Sequence, residues 1–397
     1  MSLLSDRITK LSESQTLAMT KMARELQAKG LDVISLSIGE PDFNTPDFIK
    51  EAAKKAIDDN FTRYTPVPGY LDLKQAIAEK FKRDNNLHYD ANQIVVSTGA
   101  KQSIANVVLS LVNKGDEVIV PIPYWVSYIE IIKLADGIPV EIPTSVEQNF
   151  KFTAEQLEKA ITPKTKMLIF STPCNPSGSV YSKTELKAIA QVVAKHPNLF
   201  VICDEIYEHI NFVGGHESLA QFPEMYERVI TVNGVSKGFA MTGWRIGFIG
   251  APKWIADACE KMQGQFTSGA CSIAQRAALA AVSAPKSVTQ PMCDAFKKRR
   301  DIVIKLLNEI PGVKTYIPEG AFYIFPDISY YFGKKHSKGV INNSYDLCIY
   351  LLEEAHVALV SGDAFGDNNC FRFSYATSED KIIESIKRIK EGLAKLS

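Results

Sequence analysis

Short apolar runs alternate with amphipathic stretches from about residue 45 onward. The runs at 116–120, 167–170, 199–203 and 229–232 have the length and the Val and Ile content of buried strands. Between two of them, residues 182–195 place Leu186, Ile189, Val192 and Val193 on one side, which is typical of an amphipathic helix. Strands that alternate with helices predict a largely parallel sheet with helices on both faces.

The pattern changes in the C-terminal third of the chain. Residues 294–310 predict a long charged helix that ends at Pro311-Gly312, and a second helical stretch follows at 344–357 among short apolar runs. A chain of 397 residues also exceeds what one hydrophobic core usually serves. We therefore predict a large domain of residues 46–285 and a smaller α+β domain of residues 1–45 and 286–397.

Composition and charge exclude several classes of protein. Lys plus Arg and Asp plus Glu both total 45, so a formal net charge of zero argues against a nucleic-acid or anionic-membrane partner. No run approaches the roughly 20 apolar residues of a membrane span, and the polar N-terminus does not resemble a secretory signal. The 7 cysteines are scattered and the 6 histidines isolated. We expect reduced thiols, a cytoplasmic location and no metal site.

Chemically distinctive residues follow the predicted strands. Asn175, Asp204 and Lys237 each come after an apolar run, and ligands of open α/β sheets bind beyond the carboxyl ends of the strands. Lys237 lies among glycines and small residues, where desolvation would lower its pKa toward the neutral nucleophile, although most loop lysines are simply solvated. Gly99 and Ala100 precede a predicted helix whose free N–H groups suit a phosphate, unless the junction is an ordinary strand–helix turn.

Several motifs occur in one order along nearly the whole chain. The string SKGFAMTGWRIG around Lys237 resembles the lysine motif of class I aminotransferases, the aspartate aminotransferase superfamily with the type I pyridoxal-phosphate fold. The other matches are SIGEPDF, YTPVPGYLDLKQAI, VSTGAKQ, PIPYW, NPSG, CDEIYEHI and FRFSYATS. One of them alone would be weak, but together they are specific, and the bacterial aspartate aminotransferase subgroup is the most similar. The resemblance implies a mostly parallel seven-stranded sheet flanked by helices, with a smaller α+β domain.

The resemblance also implies pyridoxal 5′-phosphate as the cofactor. Lys237 would bind it covalently and carry the substrate proton, and Asp204 would pair with its ring nitrogen. Tyr207 and Asn175 match residues that hydrogen-bond its phenolic oxygen, and Trp125 matches the aromatic residue stacked on its ring. Without this resemblance, Trp125 would be predicted to be a residue of the hydrophobic core.

The phosphate of the cofactor has its own implied set of residues. That set is Gly99, Ala100, Ser236 and Arg245, with Tyr64 reaching in from a neighbouring subunit of a homodimer. Lys101 belongs to the wider set of implied cofactor-binding residues. The chain departs from some relatives at Gly234, where they carry a phosphate-binding serine three residues before the lysine. Ser236 is the expected substitute.

For the substrate, the resemblance implies a clamp on the α-carboxylate. Arg372 matches the clamping arginine, and Gly39, Asn175 and Trp125 match residues beside it. Lys101 occupies the place of a lysine implicated in binding a distal carboxylate, although it could merely decorate the first turn of its helix. The expected reaction is L-aspartate + 2-oxoglutarate = oxaloacetate + L-glutamate.

Other functions remain open at this stage. The motifs do not separate aspartate from aromatic amino acids, prephenate or alanine as substrates. A lyase would keep the same fold and cofactor but perform β-elimination or decarboxylation. A pyridoxal-phosphate-binding regulator would need a DNA-binding domain before the fold, and we expect none because SIGEPDF begins at residue 37.

Overall fold

The computed structural model describes residues 3–397. Its α-helices are α1 Asp6–Thr9, α2 Gln15–Ala28, α3 Asp47–Asp58, α4 Leu71–Asn85, α5 Ala100–Leu111, α6 Ser127–Leu134, α7 Ala154–Ala160, α8 Lys183–Ala194, α9 Lys253–Phe266, α10 Ser272–Ser283, α11 Gln290–Leu307, α12 Ser344–Glu354 and α13 Glu379–Ala394. Its strands are β1 Ile34–Ser35, β2 Ile94–Ser97, β3 Glu117–Pro121, β4 Ile138–Ile142, β5 Thr165–Ser171, β6 Phe200–Asp204, β7 Val229–Gly234, β8 Gly247–Gly250, β9 Tyr323–Ile324, β10 Lys335–His336, β11 Gly339–Val340, β12 Val357–Ala358, β13 Val360–Ser361 and β14 Phe371–Ser374.

Seven strands form the main sheet, in the order β2-β8-β7-β6-β5-β3-β4. Strand β8 is antiparallel to both of its neighbours, whereas the other pairs are parallel. The predicted α/β fold with a mostly parallel seven-stranded sheet is therefore confirmed. Each of the four strands predicted from apolar runs is present, with ends shifted by one or two residues.

Both faces of this sheet are buried, which explains why its strands are apolar throughout rather than alternating. One face packs Val96, Ile119, Leu168 and Val201 against α3, α4, α8 and α10. The opposite face packs Val95, Val120, Ile169 and Ile202 against α5, α6 and α9. Because successive side chains on a strand point to opposite faces of the sheet, the same strands contribute to two separate cores.

A further core joins the N-terminal segment to the C-terminal third. It contains Met19 of α2, Leu36, Phe296 of α11, Leu351 of α12 and Phe373 of β14. Strand β1 pairs in parallel with β12, and β13, β14 and β9 form a small antiparallel sheet. The division into residues 46–285 and residues 1–45 plus 286–397 stays a prediction, and residues 1 and 2 lie outside the described residues.

The helix predictions differ from the structure mainly at their ends. The helix predicted at 182–195 is α8, where the Ser182 side chain accepts a hydrogen bond from the Glu185 N–H in a capping box. The helix predicted at 294–310 begins earlier, at Gln290, because Pro291 is well accommodated in a first helical turn.

A buried ion pair connects α4 to the segment that follows β6. Lys80 is 2% exposed, forms an ion pair with Glu208 and donates to the Asn85 Oδ1 at 2.6 Å. Burial alone would raise the pKa of Glu208, but Lys80 and the neighbouring histidines hold that pKa below its usual value. This contact joins α4 to the turn of residues 206–209 that follows β6.

The same region brings together side chains of the types that bind metals. Atoms of Glu205, Glu208 and His216 lie within 4.8 Å of one another. The ammonium group of Lys80 already lies against the Glu208 carboxylate. The expectation that the protein has no metal site stays a prediction.

Replacing Lys80 by Met should destabilise the fold strongly, because it leaves the Glu208 carboxylate buried without its cation. We expect the free energy of unfolding to fall by about 3–5 kcal/mol for Lys80→Met, measured by chemical denaturation at fixed protein concentration. The matched control is Lys82→Met on the exposed side of the same helix, which should change it by less than about 0.5 kcal/mol. Equal effects of the two substitutions would contradict a stabilising role for the pair.

Candidate active site

A cavity of about 280 Å³ lies at one edge of the main sheet. Eleven residues that the sequence singled out line it: Gly39, Ala100, Lys101, Trp125, Asn175, Asp204, Tyr207, Ser236, Lys237, Arg245 and Arg372. Gly99 adjoins them at the start of α5. The structure therefore brings together almost the whole predicted set.

The topology of the sheet explains this convergence. Trp125, Asn175 and Lys237 follow the ends of β3, β5 and β7 by three or four residues, and Asp204 is the last residue of β6. The carboxyl ends of parallel strands share one edge of a sheet. Arg245 reaches the same edge from the opposite direction, because it precedes the antiparallel strand β8.

Asp204 is buried beneath the cavity, with 4% of its surface exposed. Its Oδ2 accepts a hydrogen bond from the Tyr128 hydroxyl at 2.8 Å, and its Oδ1 accepts one from the Ile206 N–H at 3.2 Å. Burial raises the pKa of Asp204 to about 6 although both hydrogen bonds favour the charged form. A cationic hydrogen-bond donor in the cavity would offset the remaining free-energy cost of burying this carboxylate.

Lys237 is partly buried, and its Nζ donates to the Gly39 carbonyl oxygen. Burial, followed by the charge of Arg372, lowers the pKa of Lys237 to about 8. The neutral fraction of the amine near physiological pH is therefore larger than that of an ordinary lysine. A neutral amine is the form that acts as a nucleophile or as a base.

Arg372 and Asn175 form a buried pair that also lines the cavity. The Arg372 Nη1 donates to the Asn175 Oδ1 at 3.0 Å, and Nη2 donates to the Ser37 carbonyl oxygen at 2.5 Å. Among the described residues the Arg372 Nε has no hydrogen-bond partner, although it is buried. The guanidinium keeps donor capacity that a carboxylate can use.

Tyr207 is held by a second tyrosine. The Tyr207 and Tyr323 hydroxyls lie 2.8 Å apart, and the Arg372 guanidinium lies 4.6 Å from the centre of the Tyr323 ring. Gly39 packs so closely on this ring that a Cβ there would overlap the Tyr323 hydroxyl. The glycine at position 39 is therefore required by this close approach.

The start of α5 and Arg245 form the other end of the cavity. Gly99 has a φ of +82° and lies against the Arg245 guanidinium, so that a Cβ at Gly99 would overlap it. Arg245 itself has a left-handed backbone, and its Nη1 donates to the Thr242 carbonyl oxygen at 2.9 Å. A helix N-terminus beside an arginine is a suitable site for a phosphate.

The departure at Gly234 has a steric cause. A Cβ there would lie 2.9 Å from the Ile246 carbonyl oxygen and 3.0 Å from the Gly247 Cα, so the position has no room for a serine. Ser236 lines the cavity instead. Its role toward a phosphate stays a prediction.

Lys101 and Trp125 lie together at the mouth of the cavity. The Lys101 Nζ is 5.0 Å from the centre of the Trp125 ring, which is half-buried.

Tyr64 does not line this cavity. It is 98% exposed and lines a separate surface groove formed by residues 62–65 and 267–272. Its predicted contact with a neighbouring subunit stays a prediction.

Some lining residues were missed by the sequence reasoning. They are chiefly Ser14, Thr16 and Leu17 at the start of α2, and Tyr128, Ser171 and Tyr323. A usable signal existed for Tyr128, because it follows Trp125 by three residues and so lies about one helical turn away. Tyr323 gave none, since it lies in an ordinary apolar run.

The sheet order and the residues around the cavity define the α/β fold of type I pyridoxal-phosphate-dependent transferases. The model of the family "Aminotransferase class I and II" matches residues 31–389. The chain belongs to this family.

Full-length relatives support the same assignment. The chain is 48% identical to an aspartate/prephenate aminotransferase of Cereibacter sphaeroides, over 100% of both chains. The structure of the aspartate aminotransferase of Rhizobium meliloti superposes with a TM-score of 0.96 at 42% identity, again over 100% of both chains. That of the Thermus thermophilus aspartate aminotransferase with maleate superposes with a TM-score of 0.93 at 38% identity, over 99% of this chain and 100% of that one.

One further observation concerns membranes. Within residues 3–397, none of the helices combines the length and the apolar character needed to span a bilayer.

Adding a methyl group at Gly99 should impair phosphate binding specifically. In Gly99→Ala the Cβ displaces the Arg245 guanidinium, and we expect the affinity for pyridoxal phosphate to fall by about 10-fold or more. The control is Gly115→Ala, where φ is +87° but no atom lies within 4 Å. Both substitutions should cost about 1 kcal/mol of stability from backbone strain. Titration of the cofactor-free protein measures the affinity, and equal affinities of the two variants would contradict the steric explanation.

Proposed function

We propose that this protein is a pyridoxal-phosphate-dependent aminotransferase that converts L-aspartate and 2-oxoglutarate into oxaloacetate and L-glutamate. The observation that carries the proposal is the convergence of the Lys237 amine, the Asp204 carboxylate and the Arg372 guanidinium on one cavity. Their chemistry supplies a nucleophile, an anionic partner and a carboxylate clamp.

The cavity fits the cofactor that the family implies. Asp204 presents a buried carboxylate that accepts only two hydrogen bonds from the described residues, which suits a protonated ring nitrogen. The start of α5 and Arg245 suit the phosphate, and the Trp125 ring offers a flat surface. Pyridoxal phosphate, when bound, withdraws electrons from the substrate Cα and so makes its proton acidic.

Each cavity residue has a defined task in this proposal. Lys237 binds the cofactor and, once displaced by substrate, takes the Cα proton with its Nζ. Arg372 holds the substrate α-carboxylate with parallel hydrogen bonds, and Asn175 fixes the orientation of the guanidinium. The amino group of the substrate is thereby placed beside Lys237.

The preference for a dicarboxylic substrate is supported by Lys101. Its ammonium group stands at the mouth of the cavity and can pair with a distal carboxylate. The Thermus thermophilus enzyme was solved with maleate, which is itself a dicarboxylate. Aspartate, glutamate and their 2-oxo acids all carry this second carboxylate.

Prephenate is the second candidate substrate. The Cereibacter sphaeroides relative is named for aspartate and prephenate together. Prephenate also carries two carboxylates, so Arg372 and Lys101 could bind it in the same manner. Aromatic amino acids or alanine would use only the Arg372 part of this arrangement.

A homodimer and a cytoplasmic location belong to the same proposal. The fully exposed Tyr64 supports the homodimer, in which it would reach the phosphate bound by a second copy. The location is supported by the free thiols of all 7 cysteines, which lie within the described residues.

Replacing Lys237 by Ala should abolish turnover. The substitution removes both the covalent attachment and the group that carries the proton, so we expect kcat to fall at least ~10⁴-fold with aspartate and 2-oxoglutarate. The exposed Lys261 on α9 provides a control, because Lys261→Ala should leave kcat unchanged. Borohydride reduction followed by peptide mapping should label Lys237 in the wild-type protein. A label on a different lysine would overturn the proposal.

Replacing Lys101 by Ala should discriminate between substrates. We expect kcat/KM for aspartate to fall by about 10-fold or more, since its distal carboxylate loses a charged partner. Alanine serves as the control substrate because it has no distal carboxylate. Equal losses for both amino acids in steady-state assays would remove Lys101 from substrate discrimination.

A further inference from the structure

Tyr128 lies directly beneath the cavity and is almost completely buried, with 1% of its surface exposed. It is the second residue of α6, and its N–H donates to the Trp125 carbonyl oxygen at 2.9 Å. Its ring contacts the Trp125 indole edge to face, with 5.5 Å between the centres. Its hydroxyl donates to the Asp204 Oδ2 at 2.8 Å. The Tyr128 side chain thus contacts both Asp204, the proposed partner of the cofactor ring nitrogen, and Trp125, the proposed stacking surface.

Asp204 depends on this hydroxyl. Its other hydrogen bond, from the Ile206 N–H, is longer at 3.2 Å, and the adjacent Glu205 carboxylate disfavours a second negative charge. The Tyr128 hydroxyl remains a donor, because burial and Asp204 raise the pKa of Tyr128 well above its usual value. The hydrogen bond therefore both orients the carboxylate and favours its charged form.

We propose that Tyr128 is a positioning residue that fixes the Asp204 carboxylate and the Trp125 ring in the mutual arrangement needed to bind the cofactor ring. This inference rests on the proposed function. It assigns to one residue two separable effects. The hydroxyl acts through Asp204 on the ring nitrogen, and the aromatic ring acts through Trp125 on the stacking surface.

The hydroxyl effect is tested with Tyr128→Phe, which keeps the ring. In titrations of the cofactor-free protein we expect pyridoxal phosphate to bind on the order of 10-fold more weakly, which is the effect of one hydrogen bond to a charged group. An analogue with carbon in place of the ring nitrogen cannot pair with Asp204. That analogue should bind equally well to the wild-type protein and to Tyr128→Phe.

The ring effect is tested with Tyr128→Leu, which removes both parts. This variant should bind the analogue more weakly as well, because the Trp125 ring loses its lateral support. The matched control is Tyr124→Phe. Tyr124 is also buried and also donates to a carboxylate, the Glu141 Oε1 at 2.8 Å, but it does not line the cavity. Its substitution should leave both affinities unchanged.

Two results would overturn the inference. One is unchanged binding of pyridoxal phosphate by Tyr128→Phe, and the other is an equal loss for the cofactor and the analogue. A double-mutant cycle with Asp204→Asn tests the same coupling, because removal of the Tyr128 hydroxyl should reduce the affinity less in that background than in the wild-type protein. A wild-type protein that binds pyridoxal phosphate without labelling Lys237 would instead refute the proposed function.

Discussion

The proposed active site depends on a carboxylate buried where the protein alone does not fully compensate its charge. Asp204 ends β6 beneath the cavity and receives hydrogen bonds from Tyr128 and from one backbone N–H. Burying such a group is unfavourable unless it is paired, and the pKa of about 6 expresses this cost. The protein therefore presents an anionic acceptor that a cationic heterocycle can satisfy, and the surrounding residues are arranged around that acceptor.

The sheet topology places the remaining groups around Asp204. Three parallel strands deliver Trp125, Asn175 and Lys237 to the same edge, and the antiparallel strand β8 delivers Arg245. Because both faces of the sheet are packed by helices, these strand ends are held by two cores. The residues at these strand ends are thus anchored by packing on both faces of the sheet.

Continuous apolar runs identified four of the strands and the positions of Asn175, Asp204 and Lys237 after them. Trp125, Arg245 and Arg372 were identified instead by the resemblance of their motifs to a known family. The sequence was insufficient where a role depends on contacts between distant segments. Tyr323 became visible only through its contacts with Tyr207 and Gly39, which lie far from it in the chain. The steric reason for glycine at 234 likewise required the path of the neighbouring strand β8. The start of α11 at Gln290 reflects the uncertainty of helix ends in any pattern of apolar residues.

In the proposed function, Arg372 connects substrate binding to the reactivity of Lys237. Its positive charge is, after burial, the largest influence that lowers the pKa of Lys237. In the proposed function, a substrate carboxylate paired with Arg372 would offset that charge and so make the Lys237 amine more basic. With the clamp empty, the amine keeps a larger neutral fraction than an ordinary lysine, and in the proposed reaction a filled clamp would make it a stronger acceptor for the Cα proton. One arginine, held by Asn175 and by the Ser37 carbonyl oxygen, would thus serve both binding and proton transfer in the proposed reaction.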